Sequence, residues 1–282
     1  MIIDFHTHTF PDKMAGSVIA KLQQLSRSRP FTDATNDGLR CSMKRAGIDL
    51  SILLPVMTNE RQVHKLNDVA ARTNEHWKET GLLSFGGMHP DVDNYKEALR
   101  QISDMGLPGI KLHPAYQGTD FDDIRYLRIL DKASELGLIV LTHAGWDIGM
   151  PEHNYCDTRH IRHVMKEVSP DRLVLAHMGG WQDWKTVGEE LAELPLYFDT
   201  SFSTGDIIPA PGTTRTPEES HNMNRKQFTC LVRKLGTDRI LFATDCPWSD
   251  QAESLQFIRS CDFSEQELAD IQGNNAQKLL NI

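Results

Sequence analysis

Short apolar runs recur along the chain, separated by longer stretches in which apolar residues return every three or four positions. The runs are Ile2–His6, Leu50–Pro55, Leu82–Gly86, Gly109–His113, Leu138–His143, Leu173–His177, Leu196–Asp199 and Ile240–Asp245. Runs of this length read as strands, and the stretches between them read as amphipathic helices. Strands alternating with helices predict a parallel sheet. Eight such units are what a closed (β/α)8 barrel requires, so the fold expected is an α/β TIM barrel.

Three helices can be placed from their ends. Asp93 is positioned to cap a helix with Ala98, Leu99, Ile102 and Met105 on one face. A second is expected over Asp123–Leu136, with Leu127, Leu130 and Ala133 inward and Gly137 ending it. Ser264 and Glu267 have capping-box spacing ahead of Leu268 and Ile271. Two connections are longer than a barrel needs. Residues 11–40 carry Pro11, Gly16, Pro30 and Gly38, and residues 201–224 carry Pro209, Pro211, Gly212 and Pro217. Both leave the catalytic face, so both are expected as loops that shape the pocket.

Length and charge narrow the picture. With 282 residues, one barrel of about 250 residues plus long loops fits, and residues 1–282 are read as a single domain. The formal charge of -9 disfavours a nucleic-acid binder, which usually carries a basic field. The five cysteines lack CxxC spacing, which points to a reducing compartment rather than a disulfide framework. The start, MIIDFHTHTF, carries no basic leader and no long apolar stretch. A cytoplasmic protein is expected, with a small-molecule substrate, no nucleic-acid partner and no membrane; a homodimer is left open.

The chemistry sits at the ends of the runs. His6 and His8 end the first, His143 the fifth, His177 the sixth and Asp245 the eighth. In a parallel barrel these ends converge on one face. Residues i and i+2 of a strand share a side, so His6 and His8 can bind one ion. A lone histidine at such a position is more often a satisfied core residue. Two on successive strands, each followed by small residues (Ala144-Gly145 and Gly179-Gly180), point to a site. Asp245 follows Leu241-Phe242-Ala243-Thr244, and a carboxylate there is costly without a cation beside it. Its plainer role, capping the helix after Pro247, can be filled by Ser249 or Asp250.

His6-Thr7-His8 together with the segments LTHAGW, LAHMGG and ATDCPW resembles the amidohydrolase superfamily. Within it, the chain resembles the amidohydrolase-2 branch, which includes the aminocarboxymuconate-semialdehyde decarboxylase-like proteins. The resemblance runs from MIIDFHTH to GNNAQKLL and implies a (β/α)8 barrel with a metal at its strand ends. It implies His6, His8, His143 and Asp245 as ligands of one divalent ion, with zinc expected and manganese, iron or cobalt compatible. It implies His177 at the metal-bound water and Asp245 as the proton relay. In binuclear relatives a carbamylated fourth-strand lysine bridges two metals, and Lys111 stands at that position. The reading preferred for Lys111 is a cation for a substrate carboxylate or for a barrel acid such as Asp4. His113 shares the face of Lys111 and borders the site. The Gly87-Met88-His89-Pro90 segment is similar to the GxHP of TatD-type deoxyribonucleases, without their fourth-strand Glu. His89 is therefore either a substrate contact or a hydrogen-bonded loop histidine. Trp146 and Trp248 are candidate walls for a planar substrate, or else lid packing.

The activity expected first is hydrolysis of a small amide, ester or lactone by a metal-activated water, with His177 and Asp245 catalytic. The alternative is metal-dependent, non-oxidative decarboxylation of a small carboxylated substrate, which uses the same ligands. A metal-holding binding protein without turnover is a third class. The histidine beyond the four ligands argues against it, because a storage site has no use for a base beside an open position.

Overall fold

The computed structural model describes residues 1–282 apart from the side chains of residues 217 and 218, so the side chain of Pro217 lies outside the described residues. The eight expected strands are present: β1 (Ile3–Thr7), β2 (Leu50–Leu53), β3 (Leu82–Ser84, resuming at Gly86–Gly87), β4 (Gly109–Leu112), β5 (Ile139–Thr142), β6 (Leu173–Leu175), β7 (Tyr197–Asp199) and β8 (Ile240–Leu241). Every neighbouring pair is parallel. The third strand is broken at Phe85, so pairing runs β1–β2–β3 on one side of the break and onward to β8 on the other. Phe85 bridges it by donating its N–H to Leu53 O at 2.9 Å. The ring closes between β1 and β8, through Phe5 N to Phe242 O at 2.9 Å and Asp245 N to His6 O at 2.8 Å. Closure leaves no sheet edge open to other chains.

Alternation assigns the faces. Ile3, Phe5, Ile52, Phe85, Leu141, Val174 and Leu241 fill the barrel interior in one cluster. Ile110, Leu112, Val140, Phe198 and Phe242 belong to the layer shared with the helices. That layer is closed by α3 (Val63–Asn74), α4 (Tyr95–Asp104), α5 (Ile124–Glu135), α6 (Thr158–Glu167), α7 (Trp184–Glu190), α8 (Arg225–Leu235) and α9 (Gln251–Arg259), after α1 (Asp12–Ser26) and α2 (Asn36–Ala46) at the start of the chain. None of the described residues forms a helix long and apolar enough to cross a membrane.

Asp123 caps α5 by accepting from Arg125 N, and Ser264 forms its capping box. The α4 expectation is corrected. Its N-cap is Asn94, not Asp93, and Met105 follows the helix at 38% exposure. Met105 is the C-cap, one step past the helix, and the buried face ends at Ile102. The two long connections are also corrected in part. Residues 11–40 hold the 15-residue α1 and the start of α2. Pro11 stands just before the first turn, where its missing N–H costs nothing, and one internal Gly16 costs a helix only about 1 kcal/mol. Neither residue breaks the helix.

The two connections are joined to each other over the mouth. Arg29 N donates to Ile208 O at 2.8 Å, and Ala210 N to Arg27 O at 3.0 Å. The Arg215 guanidinium adds a bond to Ser28 Oγ at 3.2 Å and another to the Ser26 carbonyl.

Candidate metal centre

Three of the five strand-end residues reach the site by breaking simple alternation. Along β1, Ile3 and Phe5 face inward, and the register slips between Asp4 and Thr7. That slip lets His6 turn inward while Asp4 stays behind the strand, bonded to Thr244 Oγ1 at 2.6 Å and Gln251 Nε2 at 2.7 Å. Along β6, Val174 and Ala176 face inward, so His177 would point out. His177 at φ 58° and Met178 at φ 55° turn the chain back. Asp245 has φ 63°, a left-handed conformation that aspartate and histidine tolerate better than most residues. Such backbone is held in place only where its surroundings fix it, and it gathers at functional sites. His143 and Lys111 arrive by plain alternation.

Proton positions follow from fixed acceptors. His6 Nδ1 lies 2.8 Å from Asp199 Oδ2, and His8 Nδ1 lies 2.8 Å from Leu54 O. Both partners can only accept, so each Nδ1 carries a proton and each Nε2 faces the site. Burial and the nearby Lys111 hold the His6 imidazole well below its usual pKa, hence neutral. The two Nε2 atoms stand 3.1 Å apart. Asp245 Oδ1 lies 3.1 Å from His8 Nε2 and 3.5 Å from His6 Nε2. These three atoms converge on one point, an arrangement that a divalent cation satisfies. These three residues form one group with the spacing of metal ligands, so the donor set fits the divalent ion that the sequence implied.

His143 is not in that group. Its ligand atom gathers instead with those of His113 and Asp147, and its Nδ1 lies 3.0 Å from His177 Nε2. His143, the fourth ligand expected from the sequence, stands beside the group with its Nε2 turned toward Asp147 at 3.9 Å. Lys111 is 1% exposed, and its Nζ lies 3.2 Å from His6 Nε2. It does not pair with Asp4, which lies on the other side of β1. Burial pulls the Lys111 ammonium down to about 8, against the charges of Asp199 and Asp245.

His113, Trp146 and Trp248 line the same cavity as the metal group, with Phe10, Val18 and Leu22 from the first connection and Trp181 and Phe202 opposite. His89 is buried but does not line it. Its Nδ1 accepts from Asp91 N at 3.2 Å, so the loop-histidine alternative describes its position.

Sequence reasoning missed Asp199, Ser201, Asp147 and Tyr116. Asp199 is fully buried and takes bonds from His6, from His177 N at 3.0 Å, and from Ser201 N and Oγ. One carboxylate thus orients the first metal-facing imidazole and anchors the turn that carries His177. The signal was available: Asp199 ends an apolar run, as Asp245 does. Carboxylates behind metal-facing histidines raise ligand basicity, and losing one typically weakens metal binding about 10–100-fold. Asp199→Asn is expected to lose affinity in that range, read by competition with a chelator. Unchanged affinity would remove Asp199 from the site.

Three comparisons bear on this geometry. No curated protein matches the sequence. An uncharacterised TIM-barrel protein from Bordetella bronchiseptica has a TM-score of 0.74 at 17% identity, covering 99% of this chain and 98% of that one. A dihydroxybenzoic acid decarboxylase from a Polaromonas species, solved with bound manganese and the inhibitor 2-nitroresorcinol, scores 0.73 at 15% identity over 99% and 96%. The 2,6-dihydroxybenzoate decarboxylase from Rhizobium scores 0.71 at 16% over 99% and 98%. At these identities the likeness shows the fold. The amidohydrolase family model matches residues 3–282, the span that holds the barrel and every strand-end residue above, and the chain belongs to the amidohydrolase-2 family.

Proposed function

We propose that the chain, as one catalytic unit over residues 1–282, is a metal-dependent carboxy-lyase that removes CO2 from a small, planar, carboxylated substrate. The observation that carries this reading is Lys111. Among the described residues lining the cavity it is the one lysine or arginine, and it sits buried beside the metal group. Away from the metal group, Phe10, Val18, Leu22, Trp146, Phe202 and Trp248 supply an apolar and aromatic wall, which suits a ring and a single carboxylate. Two of the similar solved structures are decarboxylases by name, and one holds manganese.

His6, His8 and Asp245 would hold the ion, with zinc expected from imidazole and carboxylate donors and manganese or cobalt compatible. When bound, that ion supplies Lewis-acid polarisation of a substrate oxygen. Lys111 pairs with the carboxylate and sets its position. Trp146, Trp248 and Phe202 hold the ring and exclude water. The carbon that CO2 leaves takes a proton that originates in solvent: Asp245 takes it up, and the His177 Nε2–His143 Nδ1 pair, bonded across 3.0 Å, passes it on. The substrate meets these groups as a small molecule, and a cytoplasmic setting fits the free thiols.

A second reading is hydrolysis of an ester, amide or lactone. It is favoured by the absence of arginine from the described cavity lining, which leaves Lys111 as the sole carboxylate clamp. Incubating the metal-loaded protein with carboxylated aromatics and with lactones and esters, with CO2 release and acid release both measured, separates the two. Acid release from esters with no CO2 from any carboxylate would sink the lyase.

Lys111 also sets a pH dependence. Its ammonium is present below its pKa of about 8 and lost above it. For a carboxylate substrate, kcat/KM should fall as pH rises through that value, and Lys111→Met should flatten the profile as well as lower it. A profile that keeps its alkaline limb in Lys111→Met would assign that limb elsewhere.

A further inference from the structure

His6, His8 and Asp245 come from two segments, the ends of β1 and β8, and one carboxylate clamps both segments from behind. Asp4 is fully buried. Its Oδ1 accepts from Thr244 N at 3.0 Å and from His6 N at 3.3 Å. Its Oδ2 accepts from Thr244 Oγ1 at 2.6 Å and from Gln251 Nε2 at 2.7 Å. The Thr244 hydroxyl gives its proton to Asp4 and in turn accepts from Cys246 N at 3.1 Å. These bonds fix the residues on both sides of Asp245. The two segments are also joined directly, through Asp245 N to His6 O at 2.8 Å and His8 N to Cys246 O at 2.7 Å. Gln251, the first residue of α9, reaches Ser51 Oγ on β2 at 3.3 Å and so ties the clamp to the helix layer.

The barrel does not need this carboxylate to close. Phe5 N and Phe242 O already pair β1 with β8. A buried charge is a costly way to hold strands together, and apolar residues often replace one with no loss of stability. What the clamp adds is local. Asp245 has left-handed backbone, which persists only where the surroundings determine it. Here those surroundings are Thr244, held by Asp4, and the His6 carbonyl. Ligands ordered before the ion arrives bind it more tightly, because less freedom is lost at binding.

We propose that Asp4 is a positioning residue of the metal centre. Through Thr244 it fixes Asp245, and through the joined strand ends it fixes His6 and His8, so that the three ligands stand ready for the ion. This role rests on His6, His8 and Asp245 being ligands. It does not depend on whether the reaction is decarboxylation or hydrolysis.

Thr244 gives the test. Thr244→Val has nearly the same shape and removes both bonds of the hydroxyl, whereas Thr244→Ser keeps them. Asp4→Ala removes all four acceptor contacts and leaves room for water to meet the freed donors. Metal-free protein is titrated with zinc against a chelator. Cobalt(II) spectra report ligand geometry, and circular dichroism melts of the metal-free forms report the fold. Thr244→Val and Asp4→Ala should bind zinc about 10–100-fold more weakly, with altered cobalt spectra. Thr244→Ser should bind as wild type does. Wild-type affinity in both Thr244→Val and Asp4→Ala, or equal losses in Thr244→Val and Thr244→Ser, overturns the proposal. A lowered melting midpoint with unchanged affinity does so as well, because it makes the clamp purely structural. Wild type that takes up no zinc or cobalt would overturn the ligand reading, and this role with it. The readout uses no substrate, so a failed search for CO2 release leaves the result standing.

Discussion

Asp245→Asn protein should stay inactive after its metal occupancy has been restored, with kcat lower by about 10²–10⁴-fold. The substitution keeps the shape, because asparagine tolerates the left-handed backbone that Asp245 adopts. It removes the one negative charge facing the His6 and His8 Nε2 atoms at 3.5 and 3.1 Å. Metal affinity falls for that reason. A neutral amide also cannot take up a proton, so mass action alone does not bring back turnover. Occupancy and rate measured on the same samples across a metal titration give the answer. Near wild-type rate at full occupancy would make Asp245 a ligand and nothing more.

His177→Asn should retain the ion at His6, His8 and Asp245 while losing about 10²–10⁴-fold in rate. Asparagine is the better variant than alanine here because position 177 has φ 58°, which alanine adopts only with strain. The imidazole lies outside the ligand group, and its Nε2 shares the proton assigned to the reacting carbon. Metal content by elemental analysis and single-turnover rates read the two effects separately. A metal-free variant would make His177 a ligand, and an active one would move the proton source to another residue.

The barrel was legible because every buried strand leaves a short apolar run bounded by turn residues. The strand-end chemistry was legible for the same reason, since a polar residue closing such a run has few places to go. Other features depended on local backbone that periodicity does not encode. The slip in β1 separates Asp4 from His6 and so removes the expected partner of Lys111. The orientation of the His143 ring depends on His177 and Ser201, which meet it only in the folded barrel. Helix α1 was hidden by a proline and a glycine that stand where a helix tolerates them. Asp147 and Tyr116 lie beyond the runs, in connecting segments where no pattern marks a residue as facing the cavity. Hydrolysis was put first on the ligands alone. Lys111, buried beside the metal group, and the decarboxylases among the similar structures put decarboxylation first in the proposal.

The backbone ties between Arg27–Arg29 and Ile208–Ala210 have a consequence for altering specificity. The two coverings of the mouth come from distant parts of the chain yet are stitched into one canopy. Grafting either alone from a relative would tear that seam, leaving peptide groups unpaired above the pocket. Redesign of this enzyme therefore has to transplant both coverings as a matched pair, or change single side chains beneath them, such as Val18, Leu22 and Phe202, and leave the stitching intact.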